Sequence, residues 1–405
     1  MKVKIEPSIA RGEIKAPPSK SYAHRYLIAS ALSRGESTVE GIINSDDMEA
    51  TVRCASALGV SIKRLNNTVT VTSNGVTYQN ESRTLCCNES GSTLRFFIPI
   101  ALALGGINTF YGTERLISRG ISVYEEICKE QCIDVEKSND KIIFKGKLHS
   151  GTFNVRGDIS SQFITGLLFA LPLLDGSSVI NVTTELESAS YIDVTIDVLS
   201  RFGIEVKKEK NTFFVKGNQE YKRTDACVEG DMSNAAFLDA FNVLGGDVSV
   251  IGLNPQSKQG DAVYAALMEE LKHTSPVISL KNCPDLAPVL FAVASSCNGA
   301  VFTDTKRLRI KESDRANAMA LELEKFGASV EVLENSVVVH KGKLKPPTQM
   351  LFGHNDHRIV MALSVISSIY GGEIEGAQAI NKSYPDFFED IKKLGVKLKV
   401  YDEKI

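Results

Sequence analysis

Phe202-Gly203-Ile204-Glu205-Val206, followed by Phe213-Phe214-Val215, is a stretch that the chain writes again and again. Leu58-Gly59-Val60-Ser61-Ile62 runs through Asn66-Asn67 to Val69-Thr70-Val71. Cys132-Ile133-Asp134-Val135 leads through Ser138-Asn139-Asp140 to Ile142-Ile143-Phe144. Phe326-Gly327-Ala328-Ser329-Val330 precedes Val337-Val338-Val339, and Leu394-Gly395-Val396-Lys397-Leu398 ends the series. The glycine after helical residues fits a helix C-cap, and the alternation beyond it fits a strand in a hairpin. Most copies lie roughly 70 residues apart, longer than the usual solenoid periods. Each is therefore a small α/β module with helices and strands of its own. Leu271-Lys272-His273 reads as a sixth, degenerate copy. Six modules on two domains put three in each. The hairpins over 60–72 and 141–146 read as two-stranded ends, away from any active centre.

A chain of 405 residues exceeds one ordinary core and calls for at least two domains. Hydrophobic residues at 43% and charged residues at 23% are those of a soluble globular protein. The net charge of −3 offers no bulk basic field for nucleic acid or a membrane surface, so any anionic ligand must be held by a local basic cluster. Met1-Lys2-Val3-Lys4-Ile5-Glu6 has no apolar signal core, and a cytoplasmic protein is expected. The longest apolar runs, 96–104 and 167–174, contain prolines and fall short of the ~20 residues that span a bilayer. The eight cysteines, Cys86-Cys87 among them, include no Cys-x-x-Cys, which fits thiols in a reducing compartment.

Basic residues gather first at Pro17-Pro18-Ser19-Lys20-Ser21-Tyr22-Ala23-His24-Arg25. Prolines lead into a helix but do not sit inside one, and the apolar spacing from Ala23 to Ala31 predicts a helix beginning near Ser19. Ser21 and Arg25 share one face, Lys20 and His24 the next. A hydroxyl, an ammonium and a guanidinium at a helix N-terminus suit a phosphate or carboxylate; a plain capped helix start is the other reading. Further buried helices open at Gly91-Ser92-Thr93-Leu94-Arg95, at Ser160-Ser161-Gln162, at Asp231-Met232-Ser233-Asn234, at Asp285-Leu286-Ala287-Pro288 and at Asp356-His357-Arg358. Polar starts on apolar helices predict several N-termini converging on one cleft.

The densest charged run is Arg307-Leu308-Arg309-Ile310-Lys311-Glu312-Ser313-Asp314-Arg315. As a helix it would put Lys311 and Arg315 on one face with Glu312 about 100° away. Two cations beside a carboxylate suit proton transfer next to a phosphate; an exposed, salt-bridged helix start is the alternative. Asp285 precedes an apolar helix and reads first as its cap, second as a base. His354 and His357, three apart on a helix, resemble half a metal site, but no third ligand follows at fitting spacing and no metal is expected. Arg358 near a helix start suits an anion clamp. Arg119 and Lys382 are single cations in turns. The Gly91 turn lacks a Walker lysine and no Gly-x-Gly-x-x-Gly opens a βαβ unit, so neither ATP nor NAD is indicated.

In order along the chain stand Pro-Ser-Lys-Ser-x-x-x-Arg at 18–25, Ser-Gly-Ser-Thr-Leu-Arg at 90–95, Ser-Ser-Gln at 160–162 and Ser-x-x-Tyr-Ile-Asp at 188–193. Gly-Asp at 230–231, Pro-Asp at 284–285, Lys-Glu-Ser-Asp-Arg at 311–315, Asn-Asp-His-Arg at 355–358 and Lys-Ser-Tyr-Pro-Asp at 382–386 complete the set. Together they closely resemble the 5-enolpyruvylshikimate-3-phosphate synthase family of enolpyruvyl transferases, from Lys15 to beyond Phe388. The resemblance implies an α/β protein of two domains, each an inside-out α/β barrel of three βαβαββ repeats with pseudo-threefold symmetry. One domain would hold 1–18 and 229–405, the other 19–228, with the active site in the cleft between them. It implies transfer of the enolpyruvyl group of phosphoenolpyruvate to the 5-hydroxyl of shikimate 3-phosphate, by a monomer without metal or organic cofactor. The implied shikimate 3-phosphate contacts are Lys20, Ser21, Arg25, Ser160, Ser161, Gln162, Ser188, Tyr191, Asp285 and Lys311. Those of phosphoenolpyruvate are Lys20, Gly91, Arg119, Gln162, Arg315, Arg358 and Lys382. Asp285 is implied as the base on the 5-hydroxyl, and Glu312, with Lys20 nearby, as the donor to the methylene carbon.

The chain departs from the common pattern at Glu89-Ser90-Gly91-Ser92, at Arg307, which leaves the contact there open, and at Gly120, where a common proline is absent and a looser loop is expected. Gly91 is retained, and a side chain there is expected to crowd phosphoenolpyruvate and its mimic glyphosate. Two other readings compete. The sister transferase acting on a UDP-amino sugar opens with Lys-Asn and carries a cysteine loop, whereas here Lys20-Ser21 and Ile117-Ser118-Arg119-Gly120 stand. A non-catalytic anion-binding repeat protein would have no use for Asp285 and Glu312.

Overall fold

A residue at positive φ is a common way to turn a chain back after a helix, and the repeated glycine supplies it. In the computed structural model, which describes residues 1–76 and 81–401, Gly59, Gly203, Gly327 and Gly395 sit at φ +87°, +77°, +87° and +91°. Cys132 takes the same place at +55°.

The chain begins with β1 (Lys2–Ile5) and β2 (Arg11–Lys15). Then follow α1 (Lys20–Leu32), β3 (Arg34–Glu40), α2 (Asp46–Ser56), β4 (Ser61–Leu65) and β5 (Thr68–Asn74). The next repeat is β6 (Ser82–Asn88), α3 (Gly91–Leu104), β7 (Ile107–Gly112), the short α4 (Glu114–Ser118), α5 (Ser122–Glu130), β8 (Asp134–Lys137) and β9 (Lys141–Lys145). A third is β10 (Thr152–Val155), α6 (Ser161–Ala170), β11 (Ser178–Val182), α7 (Ala189–Arg201), β12 (Val206–Glu209) and β13 (Thr212–Val215), after which comes β14 (Ala226–Cys227). The chain continues through α8 (Met232–Val243), β15 (Asp247–Ile251) and α9 (Tyr264–His273). A fifth repeat is β16 (Val277–Ser279), α10 (Ala287–Ser296), β17 (Gly299–Thr303), α11 (Arg315–Glu324), β18 (Val330–Val332) and β19 (Ser336–His340). The last is β20 (Leu351–Phe352), α12 (His357–Tyr370), β21 (Gly372–Glu375), α13 (Phe387–Lys393) and β22 (Leu398–Tyr401).

Among the described residues the strands form six small sheets, none closed on itself. The hairpins are not two-stranded ends. β5 of the β4–β5 hairpin also pairs with β3, and β9 of the β8–β9 hairpin with β7, so each hairpin is half of a four-stranded mixed sheet. The sheet orders β6-β7-β9-β8, β10-β11-β13-β12 and β16-β17-β19-β18 are the same topology three times over.

Three repeats are assembled from distant pieces. β14 returns to lie parallel to β3, pairing Ala226 with Val39. β22 pairs with β1 from the other end of the chain, Ile5 opposite Leu398. β2 pairs with β15 in a two-stranded sheet. The expected copy at Leu271-Lys272-His273 has no hairpin, because the chain leaves α9 directly for β16, which pairs parallel to β17 in the next sheet.

The chain divides into two compact units, Met1–Pro17 with Gly230–Ile405 and Pro18–Glu229, each with its own core. In the second unit α1, α3 and α6 are buried almost throughout, whereas α2, α5 and α7 bury one face. α8, α10 and α12 are the buried helices of the first. Gly166 lets α6 approach α3: a Cβ there would lie 2.3 Å from the Arg95 carbonyl. Phe97 and Phe163 fill the same core, and truncating either to Ala would cost about 3–5 kcal/mol. Among the described residues no helix is long and apolar enough to cross a membrane.

Candidate active site

Helix starts carry unsatisfied N–H groups and the positive end of the dipole, so side chains gathered there act in a field that favours anions. Among the described residues of the unit Pro18–Glu229, five helices begin with serine as N-cap, Ser45 before α2 included. Ser19 precedes α1, Ser90 accepts from Thr93 N, Ser160 accepts from Gln162 N, and Ser188 at φ +57° precedes α7.

Side-chain bonds tie these starts together. Lys20 on α1 donates to Asp47 Oδ2 at the start of α2, 3.0 Å away. Arg25 donates to Thr195 Oγ1 at 2.8 Å, to the Ser21 carbonyl at 2.7 Å and to the Tyr191 carbonyl at 3.0 Å. It also lies over the Phe96 ring, 5.2 Å from its centroid. Burial pulls the Arg25 guanidinium down to about 10, with Tyr191 and Tyr22 opposing. Gln162 on α6 donates to Ser92 Oγ at 3.0 Å and accepts from Arg95 Nη1 at 2.7 Å. Arg95 also reaches the carbonyls of Arg119 and Gly120, at 3.4 and 3.3 Å. The loop at Gly120 is thus held by Arg95, and at φ +76° it is closed to proline, whose ring fixes φ near −65°. A Cβ on Gly91 would lie 2.8 Å from Arg119 Nη1, so this glycine seats the arginine. Lys20, Ser21, Arg25, Gly91, Arg119, Ser160, Ser161, Gln162, Ser188 and Tyr191 all lie in this unit.

The other unit gathers the rest. Arg315, 1% exposed, donates through Nε to Asp356 Oδ2, through Nη1 to Asp285 Oδ1 and through Nη2 to Glu312 Oε2, each at 2.8 Å. Burial would lower this guanidinium, but Asp356, Glu312 and Asp285 outweigh it and hold the pKa well above the usual value. Arg358 reaches Asp285 Oδ2 at 3.0 Å and binds Ser233 Oγ on α8. Lys311 Nζ lies 3.4 Å from Asp285 Oδ1. Although 25% of the Lys311 side chain is exposed, burial of the ammonium lowers its pKa, Arg315 adding to the effect and Asp285 opposing it. Lys382 donates to the Asn355 carbonyl at 2.6 Å.

Three sequence expectations change here. Asp285 is not at the N-cap position of α10, which Leu286 occupies, and its carboxylate accepts from Arg315, Arg358 and Lys311. Lys311 and Arg315 do not share a helix face. Asp314 caps α11 by accepting from Asn317 N, which makes Arg315 the first helical residue and leaves Lys311 extended. His354 and His357 are not on one helix: His354 and Asn355 take φ +48° and +52°, and His354 turns to Glu322 Oε1 at 2.9 Å. Arg307, whose contact the sequence left open, donates to the Lys281 carbonyl at 2.9 Å.

Sequence reasoning passed over Asp47, Arg95, Ser233 and the side chain of Asp356 as parts of these clusters. Arg95, Ser233 and Asp356 stood inside quoted stretches, and in the structure Asp356 also caps α12, accepting from Arg358 N. Nothing local marked Asp47 beyond an acidic helix start.

Cations and hydroxyls thus collect at helix starts in one unit, and cations with carboxylates in the other, groups whose chemistry suits anion binding and proton transfer. The family profile of EPSP synthase (3-phosphoshikimate 1-carboxyvinyltransferase) matches residues 6–391, and the chain belongs to that family. The 3-phosphoshikimate 1-carboxyvinyltransferase of Clostridium kluyveri is 43% identical over 415 aligned positions, covering 97% of each chain. That of Clostridium acetobutylicum is 42% identical at the same coverage. A solved EPSP synthase from Acinetobacter baumannii, 22% identical, covers 99% of this chain and 100% of its own with a TM-score of 0.78, a likeness of fold.

Proposed function

We propose that this chain transfers the enolpyruvyl group of phosphoenolpyruvate to the 5-hydroxyl of shikimate 3-phosphate, releasing phosphate, in the shikimate pathway of aromatic amino acid biosynthesis. The observation that carries this is the family match over residues 6–391, shared with transferases of that name over nearly the whole chain. We assign the cationic cluster of Pro18–Glu229, together with Lys311, Arg315, Arg358 and Lys382, to the phosphate and carboxylate groups of the two substrates. The Asp285–Arg315–Glu312 cluster is assigned to proton movement.

The reaction is an addition followed by an elimination. Asp285 takes the proton of the 5-hydroxyl as its oxygen attacks C2 of phosphoenolpyruvate, and Glu312 gives a proton to the methylene carbon. Phosphate then leaves as the methyl group loses a proton. Charge that builds around C2 meets fixed guanidinium and ammonium groups, which need no reorganisation to stabilise it. Arg315 fixes the orientation of both carboxylates through bonds of 2.8 Å. A substrate anion arriving at Arg315 competes with Glu312 for that guanidinium and frees the carboxyl for proton transfer. The scheme calls on no cofactor.

The two units are proposed as the two domains, 1–18 with 229–405 and 19–228. Each is proposed as an inside-out α/β barrel with a pseudo-threefold axis; helices buried on all sides, with sheets keeping exposed faces, support this. One chain supplies both clusters, so we take a monomer to suffice. Eight free thiols fit a reducing cytoplasm.

The test is phosphate release from the purified protein with both substrates, together with Glu312→Gln. Turnover should fall by roughly 10²–10⁴ in the variant, the usual weight of a proton donor, while shikimate 3-phosphate still binds. No release from the unaltered protein, with shikimate 3-phosphate bound, would favour the non-catalytic reading.

A further inference from the structure

A buried line of hydroxyls joins three helices of the unit Pro18–Glu229 and plays no part in the chemistry above. His24 Nδ1, on α1, lies 2.7 Å from Thr51 Oγ1, on α2. Thr51 Oγ1 lies 2.7 Å from Thr93 Oγ1, on α3. Thr93 Oγ1 lies 2.7 Å from Ser90 Oγ, which also accepts from the Thr93 backbone N–H. All four side chains are buried. Each hydroxyl has one proton to give, so the line has one direction. With Thr93 donating to Ser90, Thr51 must donate to Thr93 and accept from His24 Nδ1–H. His24 Nε2 is then a lone pair with no partner, a lighter cost than the orphaned N–H that the reverse direction would leave. A neutral ring fits this position, where burial and the nearby charges of Lys20 and Arg25 lower the His24 pKa well below its usual value.

The ends of this line are what give it a function. His24 lies one turn after Lys20 on α1, and Thr51 one turn after Asp47 on α2, the residue whose carboxylate takes Lys20. Ser90 caps α3 immediately before Gly91, the glycine that seats Arg119. Lys20 and Gly91 stand on different helices, α1 and α3, and the three hydroxyls with His24 are a polar tie between those helices. We propose that Thr51 is a positioning residue for phosphoenolpyruvate: its hydroxyl sets the Gly91 turn in register with Lys20. The proposal rests on the functional reading above.

The test compares Thr51→Val, which keeps the branched shape and removes the hydroxyl, with Thr51→Ser, which keeps the hydroxyl. Steady-state kinetics, calorimetric titration with shikimate 3-phosphate alone and thermal melting are measured for each. For Thr51→Val, kcat/KM for phosphoenolpyruvate should fall about tenfold, the weight of one buried hydrogen bond, with the shikimate 3-phosphate Kd within about twofold. Thr51→Ser should recover most of the loss. An unchanged kcat/KM, or equal weakening of both substrates, overturns the proposal. If Thr51→Val does not fold, Thr93→Val breaks the same line one bond further on and is judged by the same numbers. Absence of turnover in the unaltered protein sinks the functional reading itself, which separates that failure from this one.

Discussion

Two buried arginines, one in each unit, are held in opposite ways. Arg25 donates to a hydroxyl and two carbonyls, and burial lowers its pKa to about 10. Arg315 donates to three carboxylates, which together raise its pKa well above the usual value. Arg25 sits in the second turn of α1 and Arg315 at the start of α11, helices from the same kind of repeat. A cation surrounded by neutral oxygens keeps its charge available for an incoming phosphate. One already matched by carboxylates holds those carboxylates in place. On the proposed function, the unit of Arg25 would serve recognition alone, and that of Arg315 recognition together with proton chemistry.

The sharpest way to break this contrast is to remove each charge. Arg315→Met leaves Asp285, Glu312 and Asp356 without their shared cation, and should cost about 3–5 kcal/mol of stability and all measurable turnover. Arg25→Met leaves less behind, since Thr195 keeps its contacts with Thr165 and the Tyr191 carbonyl, 2.9 Å each. It should cost only about 1 kcal/mol and weaken shikimate 3-phosphate by about a hundredfold. Urea unfolding and calorimetric titration of both variants decide the matter; equal loss of stability would erase the distinction.

Gly91→Ala probes the recognition side alone. Its Cβ would meet the far end of Arg119, a flexible side chain, so the fold should tolerate it while the arginine moves. Glyphosate inhibition should weaken more than the KM for phosphoenolpyruvate rises, and equal weakening of the two would count against a pocket this tight.

The smallest effect is a pH dependence that differs between the units. His24 has a folded pKa far below its ordinary 6.5, so below that pH the unfolded chain binds a proton that the folded chain refuses. Its contribution is intact above pH 6.5 and declines as pH falls, by about 1.4 kcal/mol per unit. Glu322, held low by His354 and Lys325 against the cost of burial, keeps its contribution above its ordinary 4.5 and loses it only in stronger acid. Melting temperatures of the unaltered protein and His24→Asn should therefore converge between pH 7.5 and 5.5. Parallel curves would mean that His24 does not titrate this way.

Much of the architecture was legible because it is written in local terms. A glycine after a helix, an alternating strand and a polar cap each encode a backbone shape within a few residues. The repeats, the starts of α1, α3, α6, α8 and α12, and the motifs that carry the family resemblance could all be read this way. The charged run at 307–315 misled for the same reason: its spacing suits a helix, but the Asp314 cap moves the helix start to Arg315. Asp285 was read as a cap because its neighbours in sequence are a helix, whereas its neighbours in space are Arg315 and Arg358.

The sequence by itself determined where helices begin, which faces are apolar and which residues carry charge. Each of these follows from the conformational preference or solvation of a short segment. Only the tertiary structure decided that β1 completes the sheet of β22, that Lys20 meets Asp47, and that one guanidinium joins three carboxylates. Such partnerships depend on distances across the fold, where burial strengthens a charge pair and strand order selects a neighbour, and no local pattern records either.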